Sequence, residues 1–299
     1  FAIILSMGST DQTINTRSGF IKKVSELAKL REEALLANKK IVFTYGTFDL
    51  LHSGHATFLA QAKEFGDILV VGVSSNRCKQ DLRGKGFPLI HQKNRSELLS
   101  YFDFVDYVVV VDDRNLSSVL KKLKPKIFYT LTLDWKSHLR KPEEEKILKK
   151  YGGKIIKVKP SLPFISSSDI VERVADLKIK EIVEYFFGKV KIDLTKGNWK
   201  RNKFSGLKTD VRDDSIYFGN HLERLGLFGN KFIKKLLNKK TLITTIEKHK
   251  RLGDKIVLTS GSCDLVHAGH VRFFSKAKDL GDILLLCIPS DHIIRKQKG

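Results

Sequence analysis

The chain has 299 residues, of which 41% are hydrophobic and 29% charged, so it is long enough for two ordinary domains with hydrophobic cores. Lys and Arg outnumber Asp and Glu by 55 to 33, and the net charge of +22 attracts polyanions in general: nucleic acid, anionic lipid or phosphorylated small molecules. Three scattered cysteines are too few for a disulfide framework, and apolar residues 1–5 are too few to cross a bilayer, so we expect a cytoplasmic protein.

Hydrophobic periodicity predicts alternating helices and strands. A leading helix is predicted over residues 20–36, and a buried strand over residues 41–45 ends at Gly46. The later predicted elements are a helix at 53–65, a strand at 68–73, a helix at 93–101, a strand at 107–111, a helix at 116–123, a strand at 126–131, a helix at 142–150, a strand at 154–158 and a helix at 167–174. This alternation predicts an α/β fold with a Rossmann-like, doubly wound parallel sheet, whose ligand binds at the carboxyl ends of the strands.

An internal duplication is the most informative feature. Residues 41–76 recur at residues 256–291 with a constant offset of 215, and 17 of the 36 positions are identical. The repeat predicts tandem copies with the second truncated. The offset aligns residue 84 with residue 299, so the second copy has no counterpart of residues 85–176 in this sequence. We expect a first domain at residues 18–176, a basic linker or small insertion at 177–238 and a partial second domain at 239–299. The chain begins with Phe1, so we expect a fragment, with Met7 a candidate start.

The polar residues of the repeat follow the first strand. Gly46 lets the backbone approach a bound group closely, and the start of the next helix offers free N–H groups to an anion. His52 and His55 are three residues apart, so both imidazoles can face one phosphate group. A zinc-binding pair and histidines that merely cap a turn are the alternatives, and no further ligands with metal spacing accompany the pair. For Asp49, tying the loop and contacting a ligand are equally favoured.

The segment from Gly46 to His55, GTFDLLHSGH, resembles the signature of the cytidylyltransferase-like nucleotidyltransferases. The resemblance extends over most of residues 20–176 and implies catalytic roles for His52 and His55. The nucleotide-binding residues that it implies are Thr44, Gly46, Thr47, Phe48, Asp49, Gly54, Arg83, Arg95, Asp134, Ser166, Ser167 and Ser168. Their counterparts in the second copy are Gly261, Ser262, His267, His270 and Lys298.

The resemblance implies transfer of a nucleotidyl group from ATP or CTP, with Mg²⁺, to a sugar phosphate or alcohol phosphate. The chain is most similar to the adenylyltransferase domain of ADP-heptose synthases, with glycerol-3-phosphate and ethanolamine-phosphate cytidylyltransferases as alternatives. Thr130 stands where the heptose enzymes have a lysine, and residues 161–164 lack an arginine that many relatives carry, so a non-catalytic nucleotide-binding module is a further alternative. We expect no nucleic-acid partner and no bound structural metal; a homodimer is one expected subunit arrangement.

Basic residues are concentrated in residues 177–255, within and just beyond the expected linker. A solvated lysine-rich surface explains this composition more simply than a strip that binds RNA or DNA. No recognition motif accompanies the basic residues, so nucleic-acid binding stays the third alternative.

Overall fold

The computed structural model describes residues 2–5, 21–83, 86–112, 116–131, 141–159, 170–171, 174, 236–237, 239–290 and 292–294. Its strands are β1 (Ala2–Leu5), β2 (Ile21–Lys22), β3 (Ile41–Gly46), β4 (Ile68–Ser74), β5 (Tyr107–Val111), β6 (Ile127–Leu131), β7 (Lys154–Val158), β8 (Leu236–Leu237), β9 (Ile256–Ser260) and β10 (Ile283–Cys287). Its helices are α1 (Leu27–Leu36), α2 (Ser53–Lys63), α3 (Asn76–Arg83), α4 (Gln92–Ser100), α5 (Ser117–Leu123), α6 (Lys141–Lys150), α7 (Lys239–Arg251) and α8 (Ala268–Lys278).

The first sheet contains six strands in the order β2-β5-β4-β3-β6-β7, and every neighbouring pair is parallel. Alternate side chains of each strand enter two separate cores. Phe43 and Val70 pack with α1, α5 and α6 on one face, whereas Val42 and Leu69 pack with α2 on the other. Burial on both faces explains why the central strands β3, β4 and β5 are almost entirely apolar, whereas the edge strand β7 includes two lysines. The predicted α/β, doubly wound parallel fold is confirmed.

Strands β3 and β4 are joined at their amino ends by hydrogen bonds between Lys40 and Asp67. The Lys40 N–H donates to the Asp67 carboxylate at 2.7 Å, and the Asp67 N–H donates to the Lys40 carbonyl at 2.9 Å. Gly66 lies at the same junction, where a Cβ would stand 2.7 Å from the Lys40 carbonyl oxygen and 2.8 Å from Val42 Cγ2. The turn between α2 and β4 therefore packs too closely for a side chain at Gly66.

Gly66→Ala should lower the free energy of unfolding by about 1–3 kcal/mol, because the added methyl group displaces backbone and not a flexible side chain. Chemical denaturation measures the change. Gly261→Ala is the control, since the nearest atom to a Cβ there is Cys263 Sγ at 3.7 Å and little change is expected. Equal stabilities for the two variants would contradict the packing argument.

The second sheet contains four strands in the order β8-β1-β10-β9. Strands β9 and β10 are parallel, while β1 is antiparallel to both of its neighbours. The second sheet thus combines residues 2–5 with residues from 236 onward, a pairing that the sequence did not predict. The domain boundaries inferred from the sequence stay predictions.

Two sequence-based predictions differ from the structure near the start of the chain. The leading helix predicted from residue 20 begins only at Leu27, after β2 and a 3₁₀ turn at Val24–Glu26. The Glu26 carboxylate accepts the Lys23 N–H at 2.6 Å, which stabilises the turn ahead of the helix. Helix α3 was not predicted, and the predicted helix at 167–174 lies largely outside the described residues.

None of the described helices is both long and apolar enough to cross a membrane.

Candidate active site

The loop after β3 forms the base of the candidate site. Phe48 and Leu50 adopt left-handed backbone conformations, with φ of 53° and 45°, and the Phe48 side chain turns back into the core. Its ring lies 3.0 Å from where a Cβ of Gly46 would be. The tight reversal therefore needs glycine at position 46 for space. This loop places the following residues at the carboxyl edge of the sheet.

The two histidines stand at the amino end of α2. His52 is the residue before the first helical turn, and its carbonyl accepts the His55 N–H at 3.0 Å. The two rings lie 4.0 Å apart between centroids, and the His55 ring meets the edge of Phe48 at 5.5 Å. The free N–H groups and positive dipole end of a helix are at the same point, so the arrangement favours an anion.

His55 is neutral at physiological pH. Burial, together with the neighbouring His52, lowers the pKa of His55 from 6.5 to about 3. Its Nδ1 is buried and has no hydrogen-bond partner in the part of the chain that the structure describes. Thr44 Oγ1 on β3 and Ser74 Oγ on β4 are also buried and have no hydrogen-bond partner among the described residues. Unpaired buried polar atoms are destabilising, so a bound ligand that pairs with His55 would remove a cost of the free protein.

The lowered pKa of His55 predicts that the free energy of unfolding decreases in acid. The unfolded chain takes up a proton at this imidazole below about pH 6.5, while the folded chain stays neutral there until about pH 3. The His55 contribution to the free energy of unfolding is therefore present above pH 6.5 and is lost as the pH falls towards 3. His55→Gln should flatten the fall measured by denaturant titration across this range. His91→Gln, at an exposed imidazole, is the control; a fall as steep in His55→Gln as in wild type would contradict the assignment.

Arg95 lies beneath the loop and is 1% exposed. Its Nε donates to the Ile90 carbonyl at 2.8 Å, one terminal nitrogen donates to the Thr47 carbonyl, and the other donates to the Ser74 carbonyl at 2.8 Å and to Asn76 Oδ1 at 3.0 Å. Burial lowers its pKa to about 10, so the guanidinium stays charged at neutral pH. All three guanidinium nitrogens donate to acceptors of the chain itself, and the pairing of Arg95 with triphosphate or acceptor charge that the resemblance implied stays a prediction.

Asp49 ties the same region from the other side. Its carboxylate oxygens accept the Leu89 N–H at 2.8 Å and the Ile90 N–H at 2.9 Å. Of the two alternatives that the sequence left open, these contacts correspond to the loop-tying one. Asp49 and Arg95 together attach residues 89–90 to the loop after β3.

Asn76 and Gln92 form a reciprocal pair that the sequence did not reveal. The Asn76 N–H donates to Gln92 Oε1 at 2.7 Å, and the Gln92 N–H donates to Asn76 Oδ1 at 2.9 Å. Each side chain thereby caps the helix that the other begins. The only sequence signal was an amide residue at the start of each helix.

The structure brings together most of the residues predicted for the first site. Thr44, Gly46, Thr47, Phe48, Asp49, His52, Gly54, His55 and Arg95 all lie on β3, the loop after it, α2 or α4. Arg83 is the last residue of α3. Thr130, the departure from the heptose pattern, is near the carboxyl end of β6. Asp134, Ser166, Ser167, Ser168 and Lys298 lie outside the described residues, and their roles stay predictions.

The second histidine pair has a similar local geometry. His267 precedes α8 with φ of −135°, compared with −136° for His52, and the His267 and His270 rings lie 4.1 Å apart. Gly261 and Ser262 follow β9, as Gly46 and Thr47 mark the end of β3. The first unit is the six-stranded sheet with its helices α1 to α6, and the second unit is the four-stranded sheet with α7 and α8. The two units touch where Arg272 on α8 pairs with Glu97 on α4.

A family model described as cytidylyltransferase-like matches residues 43–173 and 258–299, which together exceed half of the chain. The chain belongs to the cytidylyltransferase-like family. This assignment confirms the resemblance that the segment GTFDLLHSGH indicated, and it places the chain among the nucleotidyltransferases. The matched residues include both histidine pairs.

Curated relatives of this cytidylyltransferase-like chain include proteins named bifunctional protein HldE. The protein from Campylobacter curvus (strain 525.92) is 36% identical over 159 residues, which are 52% of this chain and 31% of that protein. The one from Campylobacter concisus (strain 13826) is 33% identical over 181 residues, covering 58% and 36%. The one from Helicobacter pylori (strain G27) is 44% identical over 105 residues, covering 35% and 23%. The chain thus spans about a third or less of the length of these relatives.

Among solved structures, the lipopolysaccharide core biosynthesis protein from Thermoplasma volcanium GSS1 is similar to 41% of this chain and 98% of its own length, with 26% identity and a TM-score of 0.36.

Proposed function

We propose that the chain transfers a nucleotidyl group from ATP or CTP to a sugar phosphate or alcohol phosphate and releases pyrophosphate. The observation that carries this proposal is the pair of adjacent imidazoles at the amino end of α2, beside the glycine turn after β3. A helix amino end with two nearby N–H donors suits a phosphate chain.

In the proposed reaction, a phosphate oxygen of the acceptor attacks the α-phosphorus of the nucleotide. A new oxygen–phosphorus bond forms as the bond from the α-phosphorus to the bridging oxygen breaks, and both electrons leave with pyrophosphate. The nucleotide enters as its Mg²⁺ complex, so the metal arrives with the substrate and partly neutralises the leaving group. No protein nucleophile is needed, and catalysis rests on position and charge stabilisation.

The imidazoles supply the charge stabilisation. His55 is neutral before binding, and it donates a hydrogen bond to the phosphate chain without first losing a solvated charge. The approach of an anion raises its pKa, so its N–H becomes a stronger donor as negative charge grows on the leaving group. His52, 4.0 Å away between ring centroids, binds an adjacent phosphate.

The preferred acceptor is a heptose 1-phosphate, with ATP as the donor, by analogy with D-glycero-β-D-manno-heptose 1-phosphate adenylyltransferases. Support comes from the relatives named bifunctional protein HldE. Glycerol 3-phosphate and ethanolamine phosphate, with CTP, are the alternatives. Thr130 is 7% exposed and uncharged where the heptose pattern has lysine, which is the observation that keeps a non-catalytic nucleotide-binding module as the second candidate.

The second unit is proposed as a copy of the same nucleotide-binding element. The 17 identities in 36 positions and the matching ring separations support a tandem arrangement.

Pyrophosphate release measured over a grid of nucleotides and acceptors tests the proposal. We expect release with one nucleotide only when a phosphorylated acceptor is present, and most strongly with ATP and a heptose 1-phosphate. Nucleotide binding by calorimetry without any release would favour the non-catalytic candidate. Neither binding nor release would contradict both.

A further inference from the structure

We propose that the edge of the first sheet opposite the candidate active site binds the surface of an anionic phospholipid bilayer. This edge, called the amino edge below, comprises the turns at residues 36–40, 64–67, 121–126 and 149–154. Backbone hydrogen bonds connect these turns, because the Lys126 N–H donates to the Ile41 carbonyl and the Lys154 N–H donates to the Lys126 carbonyl. The turns therefore form one continuous surface.

The amino edge is densely basic. Each helix of the first unit that precedes a strand ends at this edge, since it runs antiparallel to the parallel strands. The exposed lysines there are Lys39, Lys40, Lys121, Lys122, Lys124, Lys126, Lys149, Lys150 and Lys154. None of these nine side chains forms an ion pair with a carboxylate within the described chain.

Among the described residues, the carboxylates at this edge are fewer than the lysines. Asp106 is paired with Lys63, and the Asp67 carboxylate accepts the Lys40 N–H. Glu64 and Asp103 are exposed at the same edge, as is Glu33, which lies near Tyr107 at the start of β5. Lysines at helix ends also interact favourably with the helix dipole, but that effect does not require lysines in the loops at Lys124, Lys126 and Lys154.

Bulky apolar side chains project from the same surface. Leu36, at the end of α1, is 90% exposed, and Leu35 is 62% exposed. Phe65, in the turn after α2, is also exposed. Helices α1 and α5 pack against each other and both end at this edge, so it contains the exposed leucines of α1 and the lysines that end α5. Apolar tips among lysines can enter the headgroup region while the ammonium groups bind lipid phosphates.

The second unit repeats this combination. Leu252 follows α7 and is 65% exposed, and Leu280 follows α8 and is 63% exposed. Exposed basic residues accompany them, namely Lys248, Lys250, Arg251 and Lys255. Leu280 corresponds to Phe65 under the offset of 215. Exposed leucines thus recur at the equivalent edge of the second unit, where Asp254, Asp279 and Asp282 offset part of the basic charge, so the first unit supplies most of the proposed electrostatic attraction.

The exposed leucine side chains favour a lipid bilayer over nucleic acid as the partner. Single-stranded nucleic acid is bound by aromatic side chains on which bases stack, and the most exposed apolar residues here are leucines. The candidate active site lies at the carboxyl edge, so it stays open to solvent when the amino edge rests on a bilayer.

Vesicle co-sedimentation of the full chain tests the proposal, with vesicles of phosphatidylglycerol and phosphatidylcholine in equal parts or of phosphatidylcholine alone. We expect binding only to the anionic vesicles, weakening steeply as salt is raised. Replacing Lys121, Lys122 and Lys124 with Gln should reduce partitioning about a hundredfold at low salt. Leu35→Gln with Leu36→Gln should reduce it about tenfold, because apolar burial is lost.

The controls use the opposite edge. The control for the lysine variant replaces Lys23, Lys29 and Lys93 with Gln, which removes the same charge from the carboxyl edge and should leave binding nearly unchanged. The control for the leucine variant is Leu89→Gln, at a leucine that is 50% exposed. Circular dichroism confirms that each variant is folded. Equal losses from the two lysine sets, equal binding to both vesicle types, or binding to single-stranded RNA but not to vesicles would each overturn the proposal.

Discussion

His52→Ala is expected to lower the rate of pyrophosphate release by about two orders of magnitude or more, because a donor to charge that develops in the transition state is lost. His52 precedes α2, where its ring lies against that of His55 at a tilt of 38° and its carbonyl accepts the His55 N–H. The substitution keeps that carbonyl, so the helix start is retained. Steady-state kinetics should show the loss mainly in kcat.

The control for His52→Ala is His249→Gln, which removes an imidazole that pairs with Asp254 in the second unit. Its turnover should stay close to wild type. Unchanged release in His52→Ala, or an equal loss in both variants, would contradict the catalytic role of His52.

Arg95→Lys is expected to lower the free energy of unfolding by about 3 kcal/mol, since it leaves buried carbonyl groups without donors. The guanidinium donates to carbonyls from three separate segments, at Thr47, Ser74 and Ile90. A lysine keeps the charge but lacks the planar fork. Turnover should fall with stability, because the loop that carries the histidines loses its support.

Chemical rescue of an Arg95 variant distinguishes a positioning role from direct phosphate binding. Guanidinium ion added to Arg95→Ala should restore part of kcat by occupying the vacated buried space, with little change in the KM for nucleotide. Arg77→Lys, at an exposed arginine on α3, is the control and should have wild-type stability. A raised KM with unchanged stability in Arg95→Lys would instead indicate direct contact with phosphate.

Sequence patterns predicted the strands better than the helix starts. Strands β5 and β7 have the predicted bounds. In β5 an uninterrupted β-branched and aromatic run lies in a buried part of the sheet, whereas in the edge strand β7 two lysines flank the β-branched pair Ile155 and Ile156. The helical spacing of Ile21 and Val24 made the predicted α1 start too early, because Ile21 is in β2 and Val24 is in a 3₁₀ turn. Helix α3 has few apolar residues, and it begins where Ser75 Oγ accepts the Cys78 N–H at 3.0 Å.

The histidine pair could be predicted because its chemistry is local. Two residues three apart at a helix start must share a face, whatever the rest of the chain does. The surroundings of Arg95 could not be predicted, since its partners Thr47 and Ser74 are 48 and 21 residues away and accept through backbone carbonyls. No residue type marks a carbonyl as the acceptor of a buried arginine.

The most direct test of the account is a crystal structure of the chain with Mg²⁺ and α,β-methylene ATP, a nucleotide that cannot release pyrophosphate. We expect phosphate oxygens within about 3 Å of a ring nitrogen of both His52 and His55, with the nucleotide against the loop after β3. A nucleotide bound elsewhere, or the two rings coordinating a metal ion, would contradict the central claim.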